Sequence, residues 1–395
     1  MTGVAHASAP LATLHAIPPS LPGEFGRGPL ETPLVPVAFG ALLLVSLVVV
    51  AARRRSGPSR SHPARRVAFA LWVLVLAVLT VASSANAYVG YVPTAASLLG
   101  YGEGHSSVEV LRVGDTRLRV PDSSAYVYLP PGYATGAAHG RRYPVVYLIH
   151  GYPGGAIDWF RAGEAPRVMD ALLRHHVVPP LILVAPDANG GWVRDSECLD
   201  AVHGPQIATF LTGPLVHAVD ARYRTVRSRT GRMIGGMSSG GYCALNLGLR
   251  HLTTYGAILA FMPFGDPGAV TATVLGGDDC RWLDNAPRYY IPRMPFRPRI
   301  STFLAVGAHD PQAAAARALA DELRRRHQVV VLRELLGLDH TWYAARQMLP
   351  YGLVFAASVL GFRGAPPLPP PGASLRGGTR AGGRGGRGSR VSPAH

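Results

Sequence analysis

Lysine is absent from this chain of 395 residues, so all 39 basic residues are arginines. Acidic residues number 23, which leaves a formal net charge of +16 at pH 7. Part of this excess lies in two segments without acidic residues: residues 53–66 contain six arginines, and the last twenty residues contain five. Neither segment interleaves the aromatic or groove-reading elements that a folded nucleic-acid-binding protein needs. We therefore expect no nucleic-acid partner.

Cysteine is also scarce. The three cysteines do not have the spacing of structural zinc sites. Cys243 lies in a helix-compatible segment, where a cysteine usually packs in the interior. Cys198 and Cys280 lie in polar, loop-like segments. Because a pair of cysteines can oxidise outside the cytoplasm, we expect a disulfide between Cys198 and Cys280 and no metal site.

Charged residues are missing from two stretches near the N-terminus, residues 34–52 and 67–85. Each is long enough to cross a bilayer core of about 30 Å as a helix. A buried core helix of this length would normally carry a polar face, and neither stretch does. We therefore predict transmembrane helices at residues 33–52 and 67–87. The basic loop between them, residues 53–66, is then cytoplasmic by the positive-inside rule, and the chain on either side of the two spans is extracytoplasmic.

The second apolar stretch also allows a different interpretation. Arg65 and Arg66, the apolar run and Ala85-Asn86-Ala87 together have the layout of a secretory signal peptide with an A-x-A cleavage site. Cleavage after Ala87 would release the rest of the chain from the membrane. The internal position and the preceding apolar stretch favour an uncleaved membrane anchor.

The remaining sequence divides by composition. Residues 1–32 are rich in proline and alanine and are predicted to be a flexible tail, and residues 88–105 are predicted to be a linker. Residues 106–363 alternate strand-like and helix-like segments, which is typical of an α/β domain, a mostly parallel sheet with helices on both faces. Residues 364–395 combine a proline run with glycine and arginine. This composition cannot bury a core and predicts disorder.

The most informative motif is Gly236-Met237-Ser238-Ser239-Gly240, which has the pattern G-x-S-x-G. An apolar-leaning segment precedes the motif and a helix-compatible segment follows it. In this context a serine lies on a sharp strand-to-helix turn, where its hydroxyl is accessible to a histidine base. Ser238 is therefore the candidate nucleophile.

Two further strand ends carry the polar residues that complete such a site. Asp310 follows the strand-like residues 300–306, and His340 follows the strand-like residues 329–335. A carboxylate can orient the histidine and stabilise its charged form. The order Ser238, Asp310, His340 is that of α/β-hydrolases and differs from the orders in chymotrypsin-like and subtilisin-like enzymes. We predict that these residues form a catalytic triad.

Several segments, in this order along the chain, resemble the α/β-hydrolase family named Putative esterase, which includes the mycobacterial mycolyltransferases and S-formylglutathione hydrolases. They are VYLPPGY from Val127, YPVVYLIHGYPGGAIDWF from Tyr143, LILVAPDANGG from Leu181, VDARYRT from Val219, GGMSSGGYCALNLGLRH from Gly235 and DHTW from Asp339. The resemblance covers roughly residues 105–362. It implies an α/β-hydrolase fold preceded by the two predicted transmembrane helices.

The resemblance also implies roles for single residues. It places the nucleophile on Ser238 and the base on His340. For the acid it indicates Asp310, with Glu334 and Asp339 as alternatives.

An oxyanion hole of two backbone N–H groups is implied as well. One is the N–H of Ser239, the residue after the nucleophile. The other lies in the loop after His150-Gly151, where Tyr152 is the candidate. His150 itself is expected to be structural.

The sequence therefore predicts a membrane-anchored, extracytoplasmic serine esterase or acyltransferase that acts on carboxylic esters without a cofactor. Its partners are an acyl-ester substrate, a lipid or sugar as a candidate acceptor, and the membrane. One alternative is a mycolyltransferase-like enzyme that transfers long acyl chains to envelope sugars, because His340-Thr341-Trp342 resembles the His-Ser-Trp of those enzymes. The other is a non-catalytic envelope binding protein on a hydrolase fold.

Overall fold

The structure is a computed structural model, and it describes residues 24–55, 63–99, 106–136, 140–191, 194–272 and 274–361. Several predicted segments lie partly or wholly outside the described residues. These are the first part of the predicted N-terminal tail, the centre of the basic loop, the end of the linker and the whole C-terminal tail, at residues 1–23, 56–62, 100–105 and 364–395.

An eight-stranded sheet forms the centre of the described domain, with the strand order β1-β2-β4-β3-β5-β6-β7-β8. The strands are β1 (Ser107–Asp115), β2 (Val120–Leu129), β3 (Val145–Ile149), β4 (Ile182–Ala185), β5 (Arg232–Met237), β6 (Ala257–Phe261), β7 (Ser301–Gly307) and β8 (Val329–Leu335). β2 pairs antiparallel with both β1 and β4, and all the pairs among β3 to β8 are parallel. This arrangement confirms the predicted mostly parallel sheet.

Helices cover both faces of the sheet. The described α-helices, of which the first two lie apart from the sheet, are α1 (Leu34–Arg55), α2 (Pro63–Val89), α3 (Ala95–Leu99), α4 (Tyr133–Gly136), α5 (Asp158–Arg161), α6 (Ala165–Arg174), α7 (Ile207–Thr212), α8 (Pro214–Arg222), α9 (Ser239–Arg250), α10 (Asp279–Asp284), α11 (Pro287–Tyr290), α12 (Ala313–Arg325) and α13 (Trp342–Val359). Successive strand residues point to opposite faces. Thus Val146 and Leu148 of β3 pack in the core with α6 and α13, whereas Val145 and Tyr147 pack in the core with α8, α9 and α12.

The helices α1 and α2 form an antiparallel hairpin outside this core. The indole Nε1 of Trp72 in α2 donates to Ser46 Oγ in α1 at 3.2 Å. None of the apolar window of α1 and only 6% of that of α2 is buried, so neither is a core helix of the described domain. Both are long and apolar enough to cross a membrane. They extend beyond the predicted spans because residues at both edges of the basic loop continue the helices.

The end of the predicted flexible N-terminal tail is folded instead. Residues 24–32 lie against α6 and α13, and the side chains of Phe25 and Glu31 are fully buried. Glu31 pairs with Arg346 of α13, which is 315 positions away in the chain. The local composition of this segment predicted a flexible tail, because composition carries no information about a partner so distant in the sequence.

The predicted Cys198–Cys280 disulfide is wrong. Cys198 is bonded to Cys243 of α9, and Cys280 is free and exposed. Cys198 is only 1% exposed although its neighbours in sequence are polar. Its neighbours Ser196 and Glu197 are buried as well. The carboxyl group of Glu197 has a hydrogen-bond partner in the interior, because it accepts from the hydroxyl of Ser239 at 3.0 Å.

Candidate active site

The polar residues singled out in the sequence converge at the C-terminal edge of the parallel strands. Ser238 follows β5, Asp310 follows β7 and His340 follows β8, while Tyr152 follows β3. In open α/β sheets, ligands bind in the crevice at this edge. The topology therefore places these side chains where a substrate can reach them.

Ser238 lies on a sharp turn between β5 and α9, with φ 58° and ψ −120°. A non-glycine residue in such a conformation is strained, and strain of this kind clusters at functional sites. The flanking glycines permit the turn: a Cβ on Gly240 would lie 2.2 Å from the carbonyl oxygen of Ile149, and a Cβ on Gly236 would lie 2.2 Å from that of Gly240. The motif is therefore a steric requirement of the turn that presents Ser238.

A continuous hydrogen-bonded chain links the three predicted triad residues. His340 Nε2 lies 2.7 Å from Ser238 Oγ. His340 Nδ1 lies 2.9 and 3.1 Å from the two carboxylate oxygens of Asp310. Because a carboxylate only accepts hydrogen bonds, Nδ1 carries the proton and Nε2 is free to accept the hydroxyl proton of Ser238. This tautomer is the one that a general base at Nε2 requires.

Asp310 is the predicted acid that contacts the histidine. Its side chain is fully buried, and it also accepts a hydrogen bond from the backbone N–H of Gln312 at 2.7 Å. The alternative Glu334 instead forms a bidentate pair with Arg317 on the surface. The other alternative, Asp339, has its backbone carbonyl bonded to Thr341, and its carboxylate makes no described hydrogen bond to the histidine.

The two segments that carry the predicted oxyanion donors both lie near Ser238. Ser239 is the first residue of α9, where backbone N–H groups are not used by the helix and carry a partial positive charge. The loop that carries Tyr152 also approaches the turn, because a Cβ built on Gly151 would lie 3.5 Å from Ser238 Cβ. Both segments are therefore close enough to Ser238 to contribute donors.

His150 is held by the backbone, as expected for a structural residue. Its Nδ1 lies 2.8 Å from the carbonyl oxygen of Gly151, and its Nε2 accepts from the N–H of Ala188 at 3.1 Å. The imidazole thus ties the loop after β3 to the loop after β4.

Two tryptophans, Trp159 and Trp342, pack beneath the loops that follow β3 and β8, on the core side of these loops. Trp159 is fully buried and donates to the carbonyl oxygen of Ile149 at 2.7 Å. Its ring packs edge-on against Trp342, with centroids 5.3 Å apart. Trp342 is only 6% exposed. Both rings therefore serve to pack the loops after β3 and β8 together.

Glu197 is a residue beside the site that the sequence reasoning did not identify. It is buried, it has φ 45°, and its carboxylate accepts from Ser239 Oγ. Burial, and after it the nearby carboxylate of Asp195, raise the pKa of Glu197 to about 8, although the hydrogen bond from Ser239 acts to lower it. The disulfide of the adjacent Cys198 holds this segment against α9. A polar segment with one cysteine was the only sequence signal, and it resembles an ordinary loop.

Comparison with known proteins agrees with this geometry. A family model described as Putative esterase matches residues 121–360, which is more than half of the chain. An uncharacterized protein of Corynebacterium glutamicum is 29% identical over 160 residues, 39% of this chain and 37% of that protein. An esterase of Mycobacterium tuberculosis is 34% identical over 127 residues, 32% of this chain and 25% of that protein. The matches thus span only 37% and 25% of these relatives' own lengths.

Solved structures share the fold. A ferulic acid esterase is 22% identical with a TM-score of 0.57, over 64% of this chain and 99% of that one. An S-formylglutathione hydrolase of Agrobacterium tumefaciens is 20% identical with a TM-score of 0.53, over 65% of this chain and 95% of that one. At these identities the likeness shows a common architecture and no more.

Proposed function

Because the chain belongs to the Putative esterase family of α/β-hydrolases, we propose that it hydrolyses carboxylic esters with Ser238, His340 and Asp310 as its catalytic triad. The observation that supports this proposal best is the hydrogen-bonded chain from Ser238 Oγ through His340 to the buried carboxylate of Asp310. Nucleophile, base and orienting acid are each within reach of the next, which is the arrangement that acyl transfer requires.

In the first half of the reaction, Ser238 Oγ attacks the carbonyl carbon of the ester while His340 Nε2 takes the hydroxyl proton. The carbonyl oxygen becomes an oxyanion, which accepts hydrogen bonds from the backbone N–H groups of Ser239 and Tyr152. The tetrahedral intermediate then breaks its bond to the alcohol, and His340 returns the proton to that leaving oxygen. Asp310 stabilises the imidazolium that exists between these steps.

In the second half, an acceptor attacks the acyl-enzyme. With water, His340 removes a proton from the attacking oxygen, the carboxylic acid leaves, and Ser238 recovers its proton. With an alcohol as acceptor, the same steps form a new ester, so the triad allows both hydrolysis and acyl transfer. Mycolyltransferase-like transfer to envelope sugars is the second candidate function, and the His340-Thr341-Trp342 triplet is the feature that favours it.

We further propose that α1 and α2 anchor the enzyme in the membrane, with the catalytic domain on the extracytoplasmic side. The arginines at the ends of both helices nearest the basic loop support this orientation. The Cys198–Cys243 disulfide is consistent with an oxidising compartment. The contacts of Asn86 weigh against cleavage after Ala87, because its side chain bonds to the backbone of Leu30 and Val92 and so joins the two sides of the hairpin.

Replacement of the nucleophile tests the proposal. Ser238→Ala should abolish labelling by a fluorophosphonate probe and lower hydrolysis of p-nitrophenyl butyrate by about 10⁶-fold, as the loss of a triad serine does elsewhere. Ser228→Ala, which removes an exposed hydroxyl before β5, at the end of that strand opposite Ser238, is the matched control and should retain both. Turnover by Ser238→Ala at the wild-type rate would refute the assignment, and a folded wild type that fails to react with the probe would favour the non-catalytic binding protein.

A further inference from the structure

The two ends of the α1–α2 hairpin are joined before they reach the catalytic domain. The backbone N–H of Leu30, which precedes α1, donates to the carbonyl oxygen of Pro93, which follows α2, at 3.2 Å. The side chain of Asn86 in α2 donates to the carbonyl oxygen of Leu30 at 3.0 Å. The segment before α1 and the segment after α2 are therefore bonded to each other and form one structural unit.

This unit is docked on the catalytic domain through a buried ion pair. Arg346 of α13 and Glu31 are both fully buried and lie 2.6 Å apart. The guanidinium also donates to the carbonyl oxygen of Ala162 at 3.0 Å and lies 3.6 Å from Glu164. A buried charge that loses its partner is strongly destabilising, so these contacts hold the hairpin in one position relative to the sheet.

The docking position adjoins the base of the triad. Gly90, one residue beyond α2, packs so closely on Tyr343 that a Cβ at Gly90 would lie 2.6 Å from Tyr343 Cβ. Tyr343 is three residues after His340. Arg27, on the other side of the hairpin, stacks on the same ring at 4.4 Å from its centroid.

The docking position also adjoins the loop that carries the proposed oxyanion donor. The hydroxyl of Tyr91 donates to Asp158 at 2.5 Å, and the second carboxylate oxygen of Asp158 accepts from the backbone N–H of Gly155 at 2.8 Å. Gly155 belongs to the same loop as Tyr152. The apolar helix α2 thus ends within a few residues of both segments that form the site.

Apolar side chains are exposed on these same loops. Leu336, in the loop between β8 and His340, is 89% exposed, and Tyr152 is 43% exposed. Tyr88, in the last turn of α2, is 61% exposed, and tyrosines at this position commonly lie at the membrane interface. If α1 and α2 are inserted in a membrane, we expect its surface to lie near the loops that carry these exposed side chains, because α2 ends beside the same part of the domain.

We propose that the substrate of this site is an acyl ester carried by the membrane in which the hairpin is inserted, and that the docked hairpin holds the triad at the membrane surface to receive it. The inference rests on the proposed esterase function and adds the class of substrate. A lipid-borne ester reaches Ser238 by lateral diffusion and needs no transfer through water. A water-soluble ester gains nothing from the docking contacts.

Full-length protein in lipid vesicles tests the proposal. The lipid-borne probe is p-nitrophenyl palmitate, placed either in the same vesicles as the protein or in separate vesicles, and p-nitrophenyl butyrate in solution measures the competence of the triad. The palmitate in the same vesicles should be hydrolysed at least about 10²-fold faster than that in separate vesicles, the lower end of the gain that tethering gives. Equal rates in the two arrangements, with the butyrate hydrolysed normally, would overturn the proposal. Failure to hydrolyse the butyrate would instead overturn the esterase function.

A second measurement tests the docking contacts themselves. Glu31→Gln removes the carboxylate from Arg346 and should lower the same-vesicle palmitate rate by at least about tenfold relative to the butyrate rate. Asp220→Asn is the matched control, because it breaks another buried pair of the described residues, with Arg232, without touching the hairpin. Equal changes in the palmitate-to-butyrate ratio for both variants would show that the docking contacts do not direct the enzyme to the lipid-borne ester.

Discussion

The Cys198–Cys243 disulfide offers a test of the structure that is independent of any substrate. It joins the segment of Glu197 to α9, five residues beyond the nucleophile, and closes a loop of 45 residues. We expect Cys198→Ser and Cys243→Ser to destabilise the protein to the same degree, because either change opens the same loop. Cys280→Ser is the matched control, since Cys280 is free and exposed, and should leave stability unchanged.

The size of the effect follows from the length of the loop. The chain-entropy model gives about 4 kcal/mol at 25 °C for a loop of 45 residues. For a domain of this size each kcal/mol corresponds to a shift of about 2–4 °C in the unfolding midpoint. The expected decrease of the unfolding midpoint in either variant is therefore about 8–16 °C. It arises because the unfolded chain gains conformational entropy when the loop is opened, which lowers the free energy of unfolding by about 4 kcal/mol.

The assay combines thiol counting with thermal unfolding of the full-length protein in detergent. Denatured but unreduced wild type should contain one reactive thiol, from Cys280, and three after reduction. Unfolding is followed by near-ultraviolet circular dichroism, which reports the tertiary packing of the catalytic domain rather than the helicity of α1 and α2.

Two results would refute the reasoning. Three reactive thiols in the unreduced protein would show that the bond does not form. A Cys280→Ser variant destabilised as much as Cys198→Ser would show that Cys280, and not Cys243, is the partner.

Two further predictions concern the site. Asp310→Asn should lower kcat for p-nitrophenyl butyrate by about 10⁴, whereas Glu334→Gln, which breaks only a surface pair, should change it by less than about twofold, and a reversed result would reassign the acid. Because burial raises the pKa of Glu197 to about 8, its carboxyl is mostly protonated at pH 7 and ionises beside the start of α9 as the pH rises through 8. The pKa of Glu197 in the folded chain, about 8, lies above its ordinary value of 4.5, so the stability contribution of this group is fully present below pH 4.5 and is lost as the pH rises from there through 8. The kcat should fall only near the upper end of this window, because the carboxylate that forms there places a negative charge beside Ser239, whose N–H is a proposed oxyanion donor. Glu197→Gln should remove both falls, and an alkaline limb that is unchanged in the variant would contradict this role.

The fold, and the strand ends at which the candidate site residues meet, could be predicted because their signals are local. Gly236 and Gly240 are glycines for a steric reason that acts within one turn, and the strand before Asp310 is a short apolar run that the sheet buries. The strand before His340 lies at the edge of the sheet and is mostly half-buried, but its run of three valines is also a local signal. The order of these elements along the chain then specifies which strand ends meet. No information about distant contacts is needed for that step.

The choice of acid shows where local signals stop. Three carboxylates lie in or just after the last two strands, near the predicted base His340: Asp310, Glu334 and Asp339. Their positions in the sequence do not show which of them contacts the histidine. What distinguishes them is the partner of each carboxylate: Glu334 forms an ion pair with Arg317 at the surface, while Asp310 is buried against His340. Those partners depend on how α12 packs beside β8, which is a tertiary property.

Composition was misleading where polar residues are buried in pairs. The polarity of residues 195–197 suggested an exposed loop with a cysteine available to Cys280, whereas Glu197 is buried and accepts a hydrogen bond from Ser239. A buried polar group is stable only with its partner, and the partner is invisible in a local window of sequence.

The N-terminal segment makes the same point with a larger consequence. Glu31 looks like one acid in a proline-rich tail, yet it satisfies the fully buried Arg346. A chain cut after Ala87 would lose that carboxylate, along with Phe25 and the contacts of Asn86, and would leave a buried guanidinium with Glu164 at 3.6 Å as its remaining acidic neighbour among the described pairs. Breaking such a pair costs about 3–5 kcal/mol, a large part of the stability of an ordinary domain. The segments that flank the hairpin are thus part of the catalytic domain's own packing, and they fix where the hairpin meets the start of α13, which follows His340.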